Sequence, residues 1–204
     1  MKIVIYGHSQ AQPTGMGDDM VSALKKRKIE VKRVGRQSYD DARLLKEVEQ
    51  HLGDVAVFNK AILYGQGNSS KDEDTIKLVN YFQNKIGKDN VVFIMPPINR
   101  DRDGAAPIEQ RRKKRSDYME ILSKTTPVYS IEGGKSEFKK DQVHMRSGTK
   151  IGKEFAEKIL DDMGIGTTGG LTIKKASFIM PAIIVGGAAG TIALVWWLLS
   201  RRNK

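Results

Sequence analysis

Five short strand-like runs, each followed by a segment of helical periodicity, constrain this chain more than any other feature. Ile3-Val4-Ile5-Tyr6 stops at Gly7, residues 29–34 stop at Gly35, and residues 55–64 run into a Gly/Asn/Ser loop. Val91-Val92-Phe93-Ile94-Met95 is stopped by Pro96-Pro97, and Val128-Tyr129-Ser130-Ile131 is the fifth run. Runs that stay apolar, as residues 3–6 and 91–95 do, belong to strands buried on both faces, as in a parallel sheet. Helices are expected over 16–28, 40–51, 73–86, 107–122 and 148–163, where apolar residues recur every three or four positions, as Ile151, Phe155 and Ile159 do. Strands alternating with helices predict an α/β fold with a five-stranded parallel sheet, covered on both faces by right-handed crossovers.

That topology brings the loops after successive strands to one edge. Ligands of open α/β sheets bind just outside the carboxyl ends of the strands, so side chains delivered there are placed for chemistry. Ser9 follows the first strand, Gly35 the second, Asn68 the third, and Asp141 with His144 the fifth. A serine in such a place also serves as a helix cap. With a histidine to take its proton and a carboxylate to fix the imidazole tautomer, it becomes a nucleophile. The backbone N–H groups of Ser9 and Gly35 and the amide of Asn68 are the donors on offer for an oxyanion.

Gly7-His8-Ser9, Gly35, Gly67-Asn68 and Asp141-Gln142-Val143-His144, with an amphipathic helix after the last, resemble the four ordered blocks of the SGNH (GDSL-type) hydrolase superfamily. The resemblance runs from about residue 2 to residue 163. It implies a flavodoxin-like three-layer α/β/α sandwich and hydrolysis of an ester or amide through an acyl-enzyme. Ser9 would be the nucleophile, His144 the base and Asp141 its orienter, with no cofactor. The chain departs from the pattern at His8 and at Ser69, where the family usually or often has aspartate. Neighbouring side chains at a strand end diverge, so His8 is expected to shape the pocket and not to act as the base.

Between Lys175 and Arg201 no residue is charged, and 176–200 reads as one apolar span. At about 1.5 Å per residue a helix of that length crosses a hydrocarbon core of roughly 30 Å. Trp196-Trp197 followed by Arg201, Arg202 and Lys204 reads as an interfacial anchor. The expected organisation is therefore a hydrolase-like domain over 1–163, a Gly/Thr-rich linker over 164–175, a single transmembrane helix over 176–200 and a basic tail over 201–204. No secretory leader is read at the start, so the chain is expected to be tail-anchored, with its large domain on the cytoplasmic side or in a virion membrane. Gly186 and Gly190 form a Gly-xxx-Gly match through which two copies could pair.

The formal net charge is +11, of which the span and tail supply +3. That excess favours anionic neighbours such as headgroups or cell-wall polymers, with nucleic acid a poor fit to the remaining features. The absence of cysteine excludes disulfides and thiolate metal sites. A metal site from His8, Asp18, Asp19 and His144 lacks any ligand motif, and none is expected. His51, just before Gly53, is read as a helix-terminal residue favouring the dipole. Arg111-Arg112-Lys113-Lys114-Arg115 circles its helix, so at least one stem must lie along the surface; it reads as a solvated helix end or a contact for anionic headgroups.

Two functions follow. The first is a membrane-anchored serine hydrolase acting on an acyl or acetyl ester of a lipid or cell-wall glycan. The second is a membrane-bound scaffold, as in a membrane-containing virion, that keeps the fold with little activity.

Overall fold

The computed structural model describes residues 1–13, 15–66 and 70–166. The Asn68 position, most of the linker, the 176–200 span with Gly186 and Gly190, and the basic tail lie outside the described residues. Among the described residues, no helix is long and apolar enough to cross a membrane.

The sheet contains β1 (Lys2–His8), β2 (Glu30–Arg36), β3 (Lys60–Tyr64), β4 (Val91–Ile94) and β6 (Val128–Tyr129), all parallel, in the order β2-β1-β3-β4-β6. β1 is an inner strand, buried almost throughout, and its register sets Gly7 opposite both Gly35 and Tyr64. A Cβ on Gly7 would stand 2.0 Å from the Tyr64 carbonyl oxygen, so only glycine lets β1 and β3 approach there.

Two apolar cores flank the sheet, giving three layers. On one face, Met20 and Leu24 of α1 (Met16–Lys26) and Ile159 and Leu160 of α6 (Lys150–Asp162) pack on Ile3, Ile5 and Ile62. On the other, Leu44 of α2 (Asp41–Lys46), Val48 and Leu52 of α3 (Val48–Leu52), Leu78 and Phe82 of α4 (Asp72–Ile86), and Tyr118 and Leu122 of α5 (Ile108–Ser123) cover Val4, Tyr6 and Leu63. Burial of whole Leu, Ile and Phe side chains at about 1.5–3 kcal/mol each makes these two layers the main stabilising term.

Three elements differ from the sequence expectation. The helix expected over 40–51 is two, because Glu47 adopts φ −104°, ψ 10° between α2 and α3. The strand expected over 55–64 begins only at Lys60. The Asp54 carboxylate accepts from the Ala56 N–H and winds Val55–Val57 into a 3₁₀ turn. A second, two-stranded parallel sheet pairs β5 (Ile98–Asn99) with β7 (Glu132–Gly133) beyond the ends of β4 and β6.

Two segments read from composition also take definite roles. Arg111 donates to the carbonyls of Asn99 and Ala106, Arg112 pairs with Glu132 and Glu109, and Arg115 donates to the Pro96 carbonyl and the Ser130 hydroxyl. The arginines of the basic run thus brace the segment after β4, and only Lys113 and Lys114 stand fully outward. His51 is drawn in as well, with Nδ1 2.9 Å from the Tyr6 hydroxyl and Nε2 3.2 Å from Arg36 Nε. Tyr6 donates to the Leu44 carbonyl, so its oxygen accepts from His51 Nδ1–H, and Nε2 is left to accept from Arg36. Burial, then the Arg36 charge, lowers the His51 pKa. It therefore serves as a hydrogen-bonding ring between Tyr6 and Arg36, with the Glu47 carboxylate 3.4 Å from Nε2.

Candidate active site

β1 ends at His8, and the chain turns at once into a 3₁₀ turn, Ser9–Ala11. His8 caps that turn. Its Nδ1 accepts from the Gln10 N–H at 3.3 Å, and its Nε2 lies 2.9 Å from the Gly65 carbonyl oxygen. A carbonyl only accepts and an N–H only donates, so the two partners fix the Nε2–H tautomer. Burial lowers the His8 pKa to about 4; the Gly65 bond acts the other way and the nearby His144 charge adds to the lowering. The ring is 3 % exposed. It lies beneath the turn that carries Ser9.

Ser9 diverges from His8 as adjacent strand-end residues must. Its Oγ is 2.7 Å from His144 Nε2, and His144 Nδ1 is 2.7 Å from Asp141 Oδ2. Asp141 Oδ1 accepts from the Val143 and His144 N–H groups, both at 2.9 Å. Burial alone would raise the Asp141 pKa, but those two N–H bonds and the imidazole hold it down at about 2. Asp141 is thus an anion throughout the neutral range. With its carboxylate on Nδ1, the imidazole carries its proton there and presents a free lone pair on Nε2 to the serine hydroxyl.

Gly35 also meets this turn. A Cβ there would stand 2.5 Å from the Gln12 backbone nitrogen, so β2 reaches the turn that carries Ser9 only because position 35 has no side chain. Four of the five sequence candidates, Ser9, Gly35, Asp141 and His144, therefore converge on one edge of the sheet; Asn68 lies outside the described residues. Sequence reading missed the side chains that hold the loop carrying His144. Gln10, 2 % exposed, donates from Nε2 to the Val143 carbonyl at 3.1 Å. Asp19, also buried, accepts from the Gly148 N–H at 2.7 Å and ties the end of that loop to α1. Their only signal in sequence was a polar residue at a position of core periodicity in α1, and a glutamine directly after the serine.

Among the described residues, no three His, Asp or Glu side chains come together as a metal site. Asp18 pairs with Arg33, and His8 is committed to backbone groups on both nitrogens. A cleft of about 170 Å³ lies between α1 and the start of α6, lined by Asp18, Asp19, Lys26 and Lys153, but the Ser9–His144–Asp141 group does not line it. His144 and Asp141 instead face solvent, with side chains 27 % and 46 % exposed.

No family profile and no curated protein matches the chain. Solved structures do. A lipase/acylhydrolase from Enterococcus faecalis superposes with a TM-score of 0.57 at 14 % identity, covering 80 % of this chain and 93 % of that one. A catalytic mutant of an acetylxylan esterase from Geobacillus stearothermophilus gives 0.59 at 13 %, covering 80 % and 94 %. A GDSL-like lipase from Bacteroides thetaiotaomicron gives 0.53 at 12 %, covering 80 % and 87 %. The chain has the α/β fold of the SGNH (GDSL-type) lipases and esterases.

Proposed function

We propose that this chain is a serine hydrolase of carboxylic esters, with Ser9 as nucleophile, His144 as general base and acid, and Asp141 as orienter. The observation that carries the reading is the unbroken hydrogen-bond path Asp141–His144–Ser9, with both bonds at 2.7 Å. In the first half-reaction Ser9 Oγ attacks the acyl carbon while its proton passes to His144 Nε2. The Ser9 and Gly35 N–H groups and the Asn68 amide are the donors offered to the oxyanion. Collapse returns the proton to the leaving alcohol and leaves an acyl ester on Ser9. Water then attacks that ester with His144 taking its proton, and collapse frees the acid and restores the serine.

The proteins that share the fold are described as lipases and as an acetylxylan esterase, so the substrate proposed here is an acyl or acetyl ester of a lipid or a glycan. The charge-free 176–200 span is proposed as the membrane anchor, with Gly186 and Gly190 as a pairing face, on its length and composition alone. Reaction of the detergent-solubilised chain with a fluorophosphonate, read as a covalent adduct by mass spectrometry, tests the nucleophile. Wild type should label and turn over a short-chain aryl ester. Ser9→Ala should not label, and Ser9→Ala and His144→Ala should each lose at least about a thousandfold in rate. A wild type that neither labels nor turns over would favour the scaffold reading.

A further inference from the structure

The Asp141–His144 turn depends on a residue that takes no part in the relay. Gln142 has φ +57°, in the left-handed region, which side chains other than glycine and asparagine keep only when the surroundings over-determine it. Every polar group of Gln142 is engaged. Its N–H donates to the Lys139 carbonyl at 2.9 Å and its carbonyl accepts from Asn99 Nδ2 at 3.1 Å. Its side-chain amide closes a two-bond ring with Asp103: Oε1 accepts from the Asp103 N–H, and Nε2 donates to Asp103 Oδ2, both at 2.8 Å. Asn99 is itself buried and fixed, because its Oδ1 accepts from the Asp101 N–H and Arg111 holds its carbonyl.

Building on the hydrolase reading, we infer that Gln142 is a positioning residue for His144: its side-chain amide, latched to Asp103, and its backbone carbonyl, held by Asn99, keep the chain reversed between Asp141 and His144. The reversal is what lets one carboxylate serve three donors. Asp141 Oδ1 meets the Val143 and His144 N–H groups while Oδ2 meets the imidazole, and this requires positions 143 and 144 to turn back over residue 141. A residue 142 relaxed into extended backbone would carry those N–H groups away, and the imidazole with them. The far side of the loop is fixed independently, by the Phe138–Met145 bridge, by the Lys139 N–H bond to the His144 carbonyl and by Gln10 on the Val143 carbonyl. Loss of the latch therefore frees the Asp141 side of the turn and leaves the rest of the loop in place.

The test separates the backbone from the amide. Gln142→Gly suits the left-handed φ but removes the latch, and Asp103→Ala removes it without touching the relay's own loop. The double variant Gln142→Glu with Asp103→Asn restores both bonds, with the donor of one reversed. In the full chain in detergent, both latch-breaking variants should lower kcat for a short-chain aryl ester by about ten- to a hundredfold, the scale of a misplacement near 1 Å, while KM stays within about twofold. The restoring pair should recover kcat to within about threefold of wild type. The Nδ1–H proton of His144, read as a low-field proton NMR resonance, should be sharp in wild type and in the restoring pair, and lost by exchange in the other two. This readout needs no turnover. If wild type proves inactive, the ester-hydrolase reading fails and the resonance still decides the latch. Gln142→Gly and Asp103→Ala chains that keep both kcat and the resonance would overturn the inference.

Discussion

His8 gives a stability measurement whose size can be worked from its surroundings. Burial holds the folded-state pKa at about 4, against an ordinary value of 6.5 that the unfolded chain regains. Between those two values the unfolded chain binds a proton that the folded chain does not, so stability falls as pH falls from about 6.5 to about 4. Below that range both states are protonated and no further loss arises from this residue. At 1.36 kcal/mol per pKa unit the window is worth about 3 kcal/mol, a large share of the 5–15 kcal/mol that typical domains possess. Protonation also removes the acceptor for the Gln10 N–H, so the turn carrying Ser9 loses its cap in the same range.

The perturbation is His8→Asn, whose short amide oxygen can still cap the Gln10 N–H but does not titrate. It leaves the Gly65 carbonyl without its donor, so at pH 7.5 the variant should be less stable by about 1–3 kcal/mol. Urea unfolding followed by far-UV circular dichroism at pH 7.5, 6, 5 and 4 gives the two curves. The wild-type advantage should shrink by about 3 kcal/mol across that series. Taking the difference matters because buried Asp41 runs the opposite way in wild type and variant alike and cancels. Parallel curves, or a His8 ring proton that titrates near 6.5 in NMR, would refute the assignment of a buried neutral imidazole.

Burial raises the Asp41 pKa to about 6, against the bonds its carboxylate accepts from Thr75 and Gln66. Its folded state therefore holds a proton that the unfolded state has lost between about 3.8 and 6, and stability falls as pH rises through that window. Asp41→Asn should gain about 1–3 kcal/mol in urea unfolding at pH 7.5 and nothing at pH 3.5, with equal gains at both pH values refuting the charge argument. Along the basic run, Arg115→Met removes donors to the Pro96 carbonyl and Ser130 and should lose about 2 kcal/mol in thermal unfolding. Lys113→Ala with Lys114→Ala should stay within about 0.5 kcal/mol, and a larger loss there would contradict their outward placement.

What could be read in the sequence follows from the range over which each signal acts. β1 and β4 announced themselves because strands buried on both faces of a parallel sheet need uninterrupted apolar residues, and Val91–Ile94 has nothing else. The Asp141–His144 pair was legible for a similar reason, since its partners lie three residues apart and a single turn joins them. The meeting of Ser9 with His144, separated by 135 positions, needed only the rule that parallel strands end on one edge. Boundaries failed where one polar contact overrode periodicity. The Asp54 carboxylate turned an apolar run away from the sheet, and Glu47 broke a helix whose apolar spacing continues through it.

The supporting contacts were not legible, because no periodicity encodes a loop's path. Arg111–Arg115 looks like a charged face until the carbonyls of Pro96, Asn99 and Ala106 are seen beneath it. Gln142 carries no mark at all, since glutamine has no preference for left-handed backbone and its partners come from a segment about 40 residues earlier in the chain. The two kinds of residue also differ in how change would act on them. On the proposed hydrolase reading, replacing Ser9, His144 or Asp141 removes a reacting or charged group and should act on the chemical step directly. Replacing Gln142 or Asp103 leaves every such group present and alters only the fraction of time they are aligned. Ser9 and Asp141-x-x-His144 therefore carry the chemistry proposed for this site, while the amides and arginines that hold its loops are residues that such spacing rules pass over.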